Sequence, residues 1–138
     1  MIIRQFAMDD YEQVRQLWQI CKLPLTAAYD GQDAICKKLE RDPDLFLVAE
    51  ENKAILGVVM GTWDGREASI YNQCVEPRFR RTGIGSQLVK EVERRLKDKG
   101  ATKISLLVDK DNLDAQDFFE AHGYQMDDRQ VILTKELT

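Results

Sequence analysis

The segment Cys74-Val75-Glu76-Pro77-Arg78-Phe79-Arg80-Arg81-Thr82-Gly83-Ile84-Gly85-Ser86 sets two adjacent arginines and two glycines, two apart, between a strand-like run and an amphipathic helical run. The opening turn of a helix carries N–H groups with no acceptor inside the helix, and the peptide dipoles make that end positive. Gly83 and Gly85 take away side chains that would hold an anion off the backbone, and Arg80 and Arg81 add charge. The chemistry this predicts is the binding of a phosphate or pyrophosphate. The Walker pattern is absent, and the dinucleotide pattern Gly-x-Gly-x-x-Gly fails because Leu88 stands at its third glycine. What remains is Arg-x-x-Gly-x-Gly following a strand–proline turn, a more specific signal than Gly-x-Gly alone.

Other reactive side chains offer less. Cys21, Cys36 and Cys74 are scattered and odd in number, so no disulfide framework fits and a reducing, cytoplasmic setting is expected. With one histidine, His122, and no Cys-x-x-Cys, no metal site is expected. Cys74 has no histidine near it in sequence to activate it and reads as a small buried residue. Asn72 and Gln73 are amides in an otherwise buried strand and must find partners there. They either face a substrate pocket or bridge a break in the sheet.

The elements that must hold this segment can be read from periodicity. Ile2–Gln5 predicts a strand and Asp9–Cys21 a helix, with Tyr11, Val14, Leu17, Trp18 and Cys21 on one face. A loop from Leu23 to Gly31 precedes a helix over Gln32–Glu40. Leu45–Glu50, Ala54–Trp63 and Ala68–Val75 predict three strands, the last two joined at Asp64-Gly65. Ile84, Leu88, Val89, Val92 and Leu96 form the stripe of a helix over Gly83–Lys99, closed by Gly100. A strand over Lys103–Val108 and a helix over Leu113–His122 follow, and the tail from Tyr124 to Leu137 predicts one or two last strands. The fold class is α/β: one mixed, mostly antiparallel sheet flanked by about four helices, in a single domain over residues 1–138.

Composition narrows the function. Of 138 residues, 43% are apolar and 32% charged, as in an ordinary globular chain. No apolar run approaches the ~20 residues that span a membrane, and no secretory leader is legible, so no membrane partner is expected. The net charge of −4 argues against nucleic acid as a partner. Yet Glu76–Lys99 alone carries eight basic and four acidic residues. A basic segment in an acidic chain fits a small anionic ligand.

Arg80-Arg81-Thr82-Gly83-Ile84-Gly85 resembles the acyl-CoA pyrophosphate loop of the GNAT superfamily of N-acetyltransferases. Val75-x-Pro77-x-x-Arg80 resembles that family's strand-to-loop junction, and Asn112-x-x-Ala115-x-x-Phe118-Phe119-x-x-x-Gly123-Tyr124 its second hallmark, in the same order and spacing. Leu45–Glu50, Val59-Met60-Gly61, Asp64-Gly65 and Asp111-Asn112 look closest to the small bacterial YpeA-like group, related to the RimI-like enzymes. The resemblance implies a sheet splayed between the strand ending at Val75 and the strand ending at Val108, with acetyl-CoA in the gap. It implies that backbone groups of Cys74 and Val75 meet the pantetheine arm and acetyl carbonyl, and that Arg80, Arg81, Thr82, Gly83, Ile84, Gly85 and Ser86 hold the pyrophosphate. Asn112 would touch the pantetheine side. The implied reaction is direct attack of a primary amine, of a small molecule or a peptide, on the thioester, with no metal. Family members often form homodimers.

Two positions depart from the family pattern. Phe119 stands where a tyrosine usually protonates the leaving thiolate, and Leu107 where RimI-like enzymes carry a glutamate. Tyr124 lies too far along by spacing to take over from Phe119, and no acid or base is assigned. A CoA-binding sensor or degraded enzyme without catalysis therefore stays open beside the acetyltransferase. Asp30, Asp33, Asp42, Asp44, Asp127 and Asp128 fall in segments that hold the acceptor in this family, so a cationic amine is the expected acceptor.

Overall fold

A computed structural model describes residues 1–138. Two compact units are described separately, Met1–Leu106 and Leu107–Thr138. The first is built on strands β1 (Ile2–Gln5), β2 (Phe46–Glu51), β3 (Ala54–Trp63), β4 (Ala68–Val75) and β5 (Ile104–Leu106), lying side by side in chain order. The first four pair antiparallel, and β5 joins β4 in parallel. The mixed, mostly antiparallel α/β sheet is the expected one.

Alternation along β3 separates two layers. Val58 and Met60 face helix α1 (Tyr11–Ile20), whose Val14, Leu17 and Trp18 join Phe46, Val48 and Cys74 in one core. Phe6 stacks on Phe46 with ring centroids 4.1 Å apart. Gly57, Val59 and Gly61 face the other way, toward helix α4 (Ile84–Lys99). A Cβ on Gly57 would lie 2.9 Å from Leu88 Cδ1, and one on Gly61 2.7 Å from Val92 Cγ2. The two glycines thus let α4 settle onto the strand and fix the height of its N-terminus.

Several boundaries differ from expectation. The helix expected from Asp9 starts at Tyr11, because Asp10 closes a tight 3-10 turn by accepting from the Ala7 N–H at 2.8 Å. The loop before Gly31 holds a one-turn helix α2 (Ala27–Asp30), capped by Thr26, ahead of α3 (Gln32–Arg41). β2 begins one residue late, as Leu45 closes a 3-10 turn opened by Pro43. The strand expected over Lys103–Val108 shrinks to three residues. Its ladder with β4 stops at Ile70, two residues before an inserted residue bends β4.

The second unit holds helix α5 (Leu113–Ala121), whose N-terminus is capped by the Asn112 side chain accepting from the Ala115 N–H at 3.1 Å. Gly123, at φ +91°, turns the chain back, and the Tyr124 N–H bonds the Phe119 carbonyl at 3.0 Å. No strand forms after Tyr124, contrary to expectation. Val131, Ile132 and Leu133 are an unalternating run, all well exposed. With no ladder to take their backbone groups and no surface burying one face, nothing makes them a strand.

Candidate functional site

The site begins where β4 loses its neighbour. Tyr71 to Val75 have no pairing with β5, so one edge of β4 is open there. The Glu76 N–H bonds the Leu56 carbonyl of β3 at 2.8 Å, so by strand alternation the main-chain groups of Val75 face the open edge. Cys74 sits in the other phase: its main chain faces β3 and its side chain is buried in the core. Of these two expected site residues, only Val75 turns its main-chain groups toward this edge. Its carbonyl accepts from Cys21 Sγ and from Arg80 Nε, both at 3.4 Å.

An extra residue shapes β4 just upstream. Tyr71 opposes Met60 and Cys74 opposes Val58, so Asn72 and Gln73 together face Val59 alone. Asn72 takes φ +48° in this bulge. Its amide nitrogen donates to Asp30 Oδ1 at 2.9 Å, and its carbonyl accepts from Trp18 Nε1 at 3.3 Å. The Tyr11 hydroxyl donates to the Asp30 carbonyl at 2.8 Å. Asn72 is therefore a bulge residue tied down by α1 and α2, with Gln73 half-buried beside it. A polar pair inside a buried run was the signal.

Beyond Val75 the chain turns tightly into α4. The Glu76 carboxylate accepts from the Arg78 N–H at 2.6 Å and its Nε at 2.9 Å, closing a turn over Pro77–Phe79. Arg81 at φ +64° and Gly83 at φ +92° are both left-handed, so the chain turns sharply on either side of Thr82. Gly83 opens α4 without a side-chain cap, leaving that end of a 16-residue helix open to a ligand. Arg80, Arg81, Thr82 and Gly83 are exposed, Ser86 is half-buried, and Ile84 and Gly85 are buried. A Cβ on Gly83 would meet nothing within 4 Å, so backbone strain selects glycine there, and the space above it is open for an anion.

Two thiols lie beside this edge. Cys21, half-buried at the end of α1, packs against the core that holds Cys74. The neighbouring Cys74 thiol and the Arg80 guanidinium outweigh burial and bring the Cys21 thiol down to about 7. The Cys21 thiol and burial push Cys74 up. Sequence reading passed over Cys21 because α1 and β4 are far apart in the chain.

Several of the carboxylates behind the expected cationic acceptor already have partners within the protein. Asp30 is engaged by Asn72, and Asp42 is buried against Lys38 Nζ at 3.0 Å and the Thr62 hydroxyl at 3.2 Å. Asp44 pairs with Lys99 and Asp127 with Arg129. A cavity of about 510 Å³ on α2 and α3 is lined by Tyr29, Asp33, Lys37, Lys38 and Arg41 among small residues. No three His, Cys, Asp or Glu side chains group as metal ligands, and no helix is long and apolar enough to cross a membrane.

In the second unit, Phe119 is buried edge-on to Phe118 and to Tyr124, with centroids 5.0 and 5.3 Å away. Tyr124, set aside on spacing, is thus brought against Phe119 by the turn at Gly123. Leu107 is exposed, and the Asn112 side-chain oxygen is committed to its cap.

The profile of the acetyltransferase (GNAT) family matches residues 4–124. An acetyltransferase from Sodalis glossinidius is 39% identical over 137 residues, covering 99% of this chain and 96% of that one. One from Pectobacterium atrosepticum is 46% identical over 112 residues, 81% of this chain and 79% of that one. The PaiA N-acetyltransferase of Thermoplasma acidophilum, solved with coenzyme A, superposes with a TM-score of 0.81 at 19% identity, over 92% of this chain and 91% of that one. The last likeness is one of fold.

Proposed function

The chain belongs to the GNAT acetyltransferase family, and from that premise we propose that it moves the acetyl group of acetyl-CoA onto a primary amine. The observation that carries the reading is one continuous surface: the open edge of β4 at Val75 runs into the left-handed turns at Arg81 and Gly83 and on to the N-terminus of α4. An extended amide-bearing arm suits the first part and a pyrophosphate the second. The CoA complex of the Thermoplasma neighbour supports the same ligand.

Acetyl-CoA supplies an acyl carbon already activated as a thioester. In this chain the N–H groups of Arg81 to Ser86 bind the pyrophosphate, with Arg80 and Arg81 adding charge. Val75 lines the pantetheine arm along the open edge. Cys74 contributes packing under the strand. Positioning then does most of the work, as the amine is held for direct attack. Phe119 has no proton to give. A thiolate with a pKa of about 8.5 leaves tolerably near neutral pH, so transfer proceeds without an assigned acid. The acceptor is a small molecule or peptide entering over α2 and α3, and the segments similar to the YpeA-like group support kinship with it.

Gly83→Ala and Gly85→Val test the placement by calorimetric titration with CoA, with Gly65→Ala as control. Gly65 has a similar left-handed φ of +96° and an equally open Cβ position, but lies in the β3–β4 turn. The expected result is at least about tenfold weaker CoA binding in both loop variants, roughly 1.4 kcal/mol, and none in the control. Unchanged affinity in folded loop variants would overturn the placement. Phe119 is what favours a binder without catalysis. Thiol release with any amine, above hydrolysis alone, decides for the enzyme.

A further inference from the structure

Cys21 and Cys74 stand 53 residues apart in sequence, yet the fold brings both into one apolar core. Cys74 is almost fully buried on β4, and Cys21 is half-buried at the end of α1 and packed against the same core. Cys21 Sγ also reaches the Val75 carbonyl at 3.4 Å, so the pair lies beside the open edge of β4. Arg80 donates to that same carbonyl. The setting is asymmetric. One thiol meets solvent beside a guanidinium, and the other waits behind it in the core. That is the arrangement of an attacking cysteine with a resolving partner. Cys36, the third thiol, is exposed on α3.

We propose that Cys21 and Cys74 form a dithiol site that hydroperoxides oxidise to an intramolecular disulfide. The Cys21 thiolate attacks one peroxide oxygen, the O–O bond breaks, and the leaving hydroxide takes a proton to become water. Cys21 is then a sulfenic acid. The Cys74 sulfur attacks the Cys21 sulfur, the S–S bond forms, the S–O bond breaks, and a second water leaves with the Cys74 proton. The two thiols lose two electrons in total, and hydrogen peroxide is reduced to two waters. Cys21 ionises first: the neighbouring Cys74 thiol and the charge of Arg80 favour its thiolate, against burial and the charge of Glu76. Nothing in the acetyl-transfer reading requires this chemistry.

The test uses the full chain carrying Cys36→Ser, which removes the exposed thiol that could link two molecules. The protein is treated with hydrogen peroxide and examined by intact mass, thiol titration and non-reducing peptide mapping. The expected result is loss of two hydrogen masses, disappearance of both thiols, a peptide pair joined through Cys21 and Cys74, and full reversal by dithiothreitol. In the same background with Cys21→Ser, Cys74 should stay reduced over the same time. Oxygen addition at Cys21 with no linked peptide would overturn the proposal. So would two thiols that survive the treatment, or Cys74 oxidised as fast without Cys21.

Discussion

The side-chain nitrogen of Asn72 donates to a carboxylate oxygen of Asp30 at 2.9 Å, joining the bulge of β4 to the end of α2. The other Asp30 oxygen accepts from the Thr26 N–H at 2.9 Å, so one carboxylate closes the α2 turn and anchors the strand that carries Val75. Asp30→Ala leaves both donors without their partner. The expected cost is about 1–3 kcal/mol, seen as a lower urea midpoint with an unchanged slope. An unchanged midpoint would show that the bulge holds without this anchor.

How much of this was legible beforehand depended on range. The stripe from Ile84 to Leu96 and the punctuation at Gly83 and Gly100 are local, and they placed α4 within one residue. The alternation that marked β3 and β4 is local too. The bulge was visible only as two misplaced amides, because which residue opposes which is a property of two strands. Cys21 against Cys74 and Asp30 against Asn72 are contacts between distant segments, and spacing carries no trace of them. The tail misled for the opposite reason: Val131, Ile132 and Leu133 have strand-like types, but a strand exists only with a partner.

Gly61 makes the support of the loop testable. Its added Cβ would come within 2.7 Å of Val92 Cγ2, and Val92 is fully buried with nowhere to turn. Gly61→Val should destabilise by about 1–3 kcal/mol or more, as overpacking does, and lift α4 from β3. Thermal melting checks the first part, and amide exchange in α4 the second. Wild-type stability would mean that the contact relaxes freely.

Acid should loosen the fold in a defined way. Arg4 binds Asp10 at 2.8 Å and Glu50 at 3.1 Å, and its hydrogen bonds hold both carboxylates below their usual range. Arg94 and Arg95 likewise bring Glu91 down to about 2. A carboxylate lowered on folding stabilises the protein fully above its ordinary value and loses that contribution as pH falls through the lowered one. The melting temperature should therefore drop as pH falls from about 5 toward 2. In Asp10→Asn the drop should be shallower and the neutral-pH value lower. Parallel curves in calorimetry would contradict this.

Phe119 offers a gain-of-function test. If it stands at the place of the usual proton donor, Phe119→Tyr should raise turnover toward the ~100-fold that a positioned acid supplies. The Michaelis constant for acetyl-CoA should hardly move. Unchanged turnover with intact binding would show that the leaving thiolate needs no protein acid here.

The central claim is that the edge of β4 and the N-terminus of α4 form an acetyl-CoA site. Melting curves with acetyl-CoA, ATP and NAD, run side by side, test it most directly. A ligand at 100 times its dissociation constant adds about 2.7 kcal/mol, a shift of several degrees in a domain this size. The account predicts that shift with acetyl-CoA and none with the other two. No shift with acetyl-CoA, or an equal shift with ATP or NAD, would contradict it.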